Sequence, residues 1–231
     1  MKNLIVTTLF YLFFSCENQE TNTTAITILA DRTDREIAKP EYDAIHPFLN
    51  IEDNPNNGII LKLQNIGNTD YNTVQTINIK EGSLLDNSFQ RKTEINQFYK
   101  ATKTLIEKEN SENFSYQKSS ILYPLIENLK ALQEHKGERI LVLYSNLAEF
   151  SQVYNSYQKN NRRGENPKYV ADLIKTKINI PQVKNTMLYI IYYPKTDVQN
   201  SNFKFMLSVY EELFKEAGLK LKIGIENQIK Y

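Results

Sequence analysis

The 231 residues are 41% hydrophobic and 24% charged, enough apolar material at one ordinary globular length to bury a core, which excludes a wholly disordered chain. Twenty-eight Lys and Arg against 27 Asp and Glu give a net charge of +1, so no summed positive field draws the chain onto nucleic acid, and no nucleic-acid partner is expected. One cysteine and two histidines, His46 and His135, exclude a disulfide framework within the chain and a Cys- or His-based zinc site.

Residues 1–15 carry one charge, Lys2, then the apolar run Leu4 to Phe14, and lead into Ser15-Cys16. At 1.5 Å per residue such a run reaches about half of a ~30 Å hydrocarbon core, which fits the h-region of a signal peptide better than a stable transmembrane helix. A small residue before the one cysteine and the polar stretch Glu17 to Thr24 after it resemble a bacterial lipoprotein signal. That resemblance implies cleavage before Cys16, a diacylglyceryl group on its thiol, and a neutral mature chain with 27 charged side chains of each sign. Residues 16–24 are then the acylated cysteine and a solvated tether. The membrane becomes a partner through the lipid anchor, and the expected location is the bacterial cell envelope, at the outer membrane or the periplasmic face. A conventional secretory signal with an incidental cysteine is the plain alternative.

Beyond the tether, short apolar runs alternate with amphipathic ones, the pattern of a layered α/β domain. Ala25 to Ala30 is β-branched, predicts a buried strand, and ends in the charged segment Asp31 to Arg35. Pro40 and Pro47 bracket a short helix around Glu41 to His46, and Asn54 to Gly58 is a turn. Ile59 to Leu63 and Thr73 to Ile79 predict two strands whose short link leaves no room for a crossover helix, so they pair antiparallel. Stripes through Ile95, Phe98, Tyr99, Thr102, Leu105 and Ile106, and through Ile121, Leu122, Leu125, Ile126, Leu129 and Leu132, predict two core-facing helices. Arg139 to Tyr144 reads as a central strand, residues 158–167 as an exposed loop, and Lys168 to Thr176 as a helix. Thr186 to Tyr193 reads as a strand, Phe203 to Ala217 as a helix capped by Gly218, and Leu219 to Ile225 as the last strand.

This order of elements, with the polar Asp31-Arg32-Thr33 segment ending the first strand, resembles the von Willebrand factor A family. The resemblance spans nearly all of residues 25 to 230. It implies that residues 25–231 form one α/β domain, a three-layer, doubly wound, mainly parallel, Rossmann-like sheet with one antiparallel edge strand. It also implies a ligand site outside the carboxyl ends of the central strands. The family's metal-ion-dependent adhesion site uses Asp-x-Ser-x-Ser after the first strand, a Thr from a later loop that opens a helix, and an Asp after the fourth strand, all hard oxygen donors for Mg²⁺. Asp31 matches the leading Asp, Thr33 supplies a hydroxyl for the first Ser, and Arg35 stands at the second. Ser119 or Ser120 takes the place of the Thr, and Asn146 replaces the acidic residue. A guanidinium cannot ligate and an amide adds no charge, so the expectation is no resident metal or cofactor and at most weak Mg²⁺ binding. Capping is the plain alternative, with Asp31 to Asp34 opening one helix and Ser119 or Ser120 another.

The expectation is a non-catalytic binding module that recognises an unidentified envelope protein at a face formed by Asp31, Thr33, Ser119, Ser120 and Asn146. An envelope phosphatase or other hydrolase using Asp31 as nucleophile is the competing class. Thr33 stands where the phosphatase pattern needs a second Asp, and no Gly-rich phosphate loop or Gly-x-Ser-x-Gly elbow is present. A purely structural lipoprotein is the third reading. Tyr189, Tyr192 and Tyr193 read as strand packing, and neither histidine is assigned to a site.

Overall fold

Period-two alternation in the apolar runs decides the architecture, because each run is apolar on both faces and needs a layer of helices on each side. In a computed structural model that describes residues 23–33, 37–67, 72–83, 86–112, 114, 116, 119–157, 166–193 and 195–225, this demand is met by a six-stranded sheet. Its strands are β1 (Thr23–Asp31), β2 (Gly58–Ile66), β3 (Val74–Ile79), β4 (Arg139–Tyr144), β5 (Thr186–Tyr192) and β6 (Lys220–Ile225). The spatial order is β3-β2-β1-β4-β5-β6, parallel throughout except for the antiparallel β2–β3 pair at one edge. The expected fold class is therefore found: a three-layer, doubly wound, mainly parallel sheet with one antiparallel edge strand.

Ile26 and Ile28 of β1, Val142 and Tyr144 of β4, and Tyr189 and Ile191 of β5 face one side. There they meet the short helix α1 (Tyr42–Ile45), the 3-10 turn His46–Leu49, and the long helix α2 (Ser88–Ser111) through Ile45, Leu49, Ile95, Phe98 and Ile106. Leu29, Leu141, Leu143, Leu188 and Ile190 face the other side and meet α3 (Leu122–Gln133), α4 (Pro167–Lys175) and α5 (Asp197–Phe214). Tyr189 and Tyr192 are buried, as strand packing requires. Among the described residues no helix is long and apolar enough to cross a membrane.

Two element boundaries differ from the sequence expectation for identifiable reasons. Helix α5 begins six residues before Phe203 because Thr196 caps it, its hydroxyl accepting from the Gln199 N–H at 3.2 Å, and the first turns face solvent, where the apolar stripe is silent. It ends at Phe214, and Gly218 closes the following turn with φ of +78°, a conformation that costs a glycine little. Pro47 lies inside the 3-10 turn at its start instead of ending the helical segment, since a proline lacks only an N–H that is unpaired there anyway. Residues 1–22, with Cys16, lie outside the described residues, as do Asp34, Arg35 and the loop 158–165.

Candidate functional site

At the carboxyl end of β1 the alternation of side chains sends Asp31 to the α3 side and Arg32 to the α2 side, so successive residues build two separate polar clusters. Asp31 is 3% exposed and both of its oxygens are engaged. Oδ1 accepts from the Thr33 N–H at 3.1 Å and the Thr33 hydroxyl at 2.6 Å. Oδ2 accepts from the Ser119 and Ser145 hydroxyls, each at 2.9 Å. Burial pushes the carboxyl above the usual carboxylate range, against the opposing pull of these hydrogen bonds.

Three of the residues expected at this site therefore come together: Asp31, Thr33 and Ser119. Asn146 does not join them. Ala30 pairs with Tyr144 across the β1–β4 ladder, and the Ser145 N–H continues toward β5 by donating to the Ile191 carbonyl at 3.2 Å. Ser145 thus keeps the parity of Leu141 and Leu143 and points to the α3 side beside Asp31, while Leu147 turns the chain away with φ of +59°. The Asn146 amide oxygen instead accepts from the Ala148 N–H at 2.9 Å, a local turn. Ser120 is buried, and its hydroxyl has no hydrogen-bond partner among the described residues.

The α3 helix start supplies the residue that sequence reasoning missed. Neither Ser119 nor Ser120 caps it. Glu149, fully buried on the connection after β4, reaches across, and its Oε2 accepts from the Ile121 and Leu122 N–H groups at 2.9 and 3.0 Å. Two free N–H groups at the positive end of the helix dipole are thereby satisfied by an acid from another segment. Desolvation pushes the Glu149 carboxyl up to about 7; hydrogen bonding, from Ser151 foremost and from the two N–H groups, opposes the rise, and the nearby Asp31 charge adds to it. Buried Tyr210 of α5 feels both acids, and its hydroxyl is pushed upward by burial and then by Glu149 and Asp31. The Phe150 N–H donates to the Ser119 carbonyl at 2.7 Å, so the same connection also fixes the serine that bonds Asp31. The available signal was negative: no acidic residue in the first turn of α3.

On the α2 side, Arg32 donates from Nε to the Asn65 amide oxygen at 2.8 Å, and the Asn65 amide donates to Glu109 at 2.6 Å. The guanidinium also lies over the Phe114 ring, 5.2 Å from its centroid. Burial lowers the Arg32 pKa, and Glu109 and then Asp31 work against that shift. His46 packs between the rings of Tyr42 and Tyr99, and His135 Nε2 lies 2.7 Å from the Thr23 carbonyl oxygen. Both histidines are used structurally.

The polar end of the sheet lies where the connections from β1 and β4 leave in different directions, the usual location of a ligand crevice in an open α/β sheet. The arrangement of strands and helices is a doubly wound, mainly parallel sheet with one antiparallel edge strand. Among solved structures the chain is similar to the crystal structure of the SpRpn10 VWA domain, with a TM-score of 0.38 and 13% identity, over 89% of this chain and 88% of that one. No family model and no curated protein matches the chain.

The resemblance read from the sequence implies a divalent cation at Asp31, and the described donors do not fit one. Among the described residues Asp31 is the one carboxylate of the cluster and already accepts four hydrogen bonds, while the Asn146 oxygen is held in its own turn. Among the described residues no group of three or more His, Cys, Asp or Glu could hold a metal ion. A hard cation needs several oxygen ligands and gains affinity with ligand charge, and among the described residues this cluster offers one buried anion.

Proposed function

We propose that this chain is a lipid-anchored protein of the bacterial envelope whose von Willebrand A-like domain binds a protein partner without catalysis and without a resident metal. The observation that carries the reading is the closed hydrogen-bond set on Asp31. A buried carboxylate with four neutral donors is a poor nucleophile and organises its surroundings instead, tying the end of β1 to the approach to α3 and to the start of the connection after β4. Thr33 and Asn146, both half-buried, stand at the surface above it. The anchor is Cys16, and the membrane is engaged through its lipid.

The experiment is retention of envelope proteins on the immobilised full-length chain in detergent, compared with Asn146→Arg. A specific protein retained by the natural chain and reduced roughly tenfold by the substitution supports the reading, tenfold being about 1.4 kcal/mol of binding. Turnover in phosphatase or esterase assays that Asp31→Asn abolishes would replace it with the hydrolase reading.

A further inference from the structure

The sheet ends in two edge strands, β3 and β6, and the sequence treats them differently. Strand β6 carries Lys220, Lys222 and Gly224, the charges and the weak point that ordinarily keep an edge from pairing with another chain. Strand β3, Val74-Gln75-Thr76-Ile77-Asn78-Ile79, has no charge, no proline and no glycine, and Val74, Thr76, Ile77 and Ile79 are β-branched.

Backbone parity fixes which groups of β3 are left over. One step beyond the paired register, the Asn65 N–H donates to the Thr73 carbonyl opposite it at 3.1 Å, so Thr73, Gln75, Ile77 and Ile79 turn their backbone groups toward β2. Val74, Thr76 and Asn78 turn theirs outward, and among the described residues no hydrogen bond from a loop or side chain reaches them there. Their side chains are exposed too: Val74 is 46% exposed, and Ile60, beside Asn78 on β2, is 38% exposed.

We propose that β3 pairs antiparallel with β3 of a second copy of this chain, joining two six-stranded sheets into one. Outward-facing residues can hydrogen-bond only to outward-facing residues, which restricts the register. With the two-fold axis at Thr76, Thr76 faces Thr76 of the copy, Val74 faces Asn78, and Gln75 faces Ile77 between them. The Val74, Thr76 and Asn78 pairs each exchange two backbone bonds, so every outward N–H and C=O of the strand is satisfied. The next allowed registers leave one end of the strand beyond its partner.

A second copy is the occupant because a two-fold axis sets like against like. A charge near the axis would meet itself; β3 supplies a threonine pair, which hydrogen-bonds across strands, where β6 would supply lysines. The axis is normal to the sheet and points the two Thr23 ends in opposite directions, so both tethers reach one membrane when the sheet lies along it. An edge of about 20 Å falls below a standard interface, and the dimer is weak and reversible, favoured by confinement of both copies to one surface. The pairing does not depend on the binding-module reading.

The test is disulfide trapping of the full-length chain in membranes of the producing cell, with copper phenanthroline as oxidant. The unaltered chain, whose one cysteine is Cys16, sets the background. Opposed Cα atoms of a hydrogen-bonded antiparallel pair lie about 5.5 Å apart, within disulfide reach, so Thr76→Cys should give a dimer of the chain. Val74→Cys alone should give roughly tenfold less, because about 13 Å of strand separates Val74 from its own copy. Coexpressed with Asn78→Cys, it should give the dimer again. Adding Thr76→Lys to both of these chains should remove that dimer, and Thr76→Lys in one with Thr76→Glu in the other should restore it, which a folding defect would not do. Equal trapping from Val74→Cys alone, no trapping above background from Thr76→Cys, or an adduct of Thr76→Cys with a different protein would overturn the proposal.

Discussion

Asp31 and Glu149 are two buried acids held by different donors, and each makes a prediction. Asp31 is held by hydroxyls, so Asp31→Ala strands the Ser119 and Ser145 hydroxyls in a closed environment. Each buried polar group left without a partner costs about 1–3 kcal/mol, and the substitution should lower stability by about 2–4 kcal/mol in urea denaturation, with Asp31→Asn costing less. Glu149 reports through pH. Its native value near 7 exceeds the unfolded carboxyl value, so the native state holds the proton more tightly than the unfolded chain does. The contribution to stability is complete at pH values below the unfolded value and is lost as pH rises through about 7. The loss amounts to about 3 kcal/mol, and Asp31, shifted in the same direction, adds to it. The urea midpoint should therefore fall between about pH 5 and pH 8. In Glu149→Gln, which keeps an acceptor for the Ile121 and Leu122 N–H groups, that fall should flatten; an equally steep fall would remove the assignment.

Elements in this fold are fixed to one another by a few close backbone approaches as well as by side-chain packing. Gly137, in the connection from α3 to β4, is the sharpest: a Cβ there would stand 1.9 Å from the Thr23 carbonyl oxygen at the start of β1. Gly137→Ala would ordinarily stabilise a chain slightly by stiffening the unfolded state. Here the clash is with backbone, which has no rotamer to escape into, and the expected outcome is a net loss of about 2 kcal/mol or more in thermal or urea unfolding. Asn166 gives a milder case at the start of α4, where its amide oxygen accepts from Lys168 and Tyr169. Asn166→Ala should cost about 1 kcal/mol.

At the scale of the whole molecule, attachment and ion binding are separable. With Cys16→Ala the protein should leave the membrane fraction or remain as precursor, because each buried lipid methylene contributes about 0.8 kcal/mol to attachment. Unchanged fractionation together with an unchanged mature mass would sink the lipid-anchor proposal. Addition of millimolar Mg²⁺ tests the Asp31 cluster. A ligand at one hundred times its dissociation constant would stabilise the fold by about 2.7 kcal/mol, worth several degrees in a domain of this size. With one buried anion among the described donors, the Tm should move by less than about 1 °C. A rise of several degrees that Ser145→Ala removes would place a cation there.

Composition and periodicity by themselves determined the layered α/β class, the antiparallel pairing of β2 with β3, the strand Arg139–Tyr144, and Asp31 as the polar end of a buried strand. All of these follow from local chemistry: β-branched runs apolar on both faces, a link too short for a crossover, and a charge that ends an apolar segment. Only the tertiary structure decided which hydroxyls meet Asp31. Ser145 and Asn146 are adjacent in sequence, and the parity of β4 against β1 sends one to the cluster and the other into a turn. The cap of α3 by Glu149 was likewise invisible, since its partners lie 27 and 28 residues away and sequence spacing carries no information about which loop folds over a helix end.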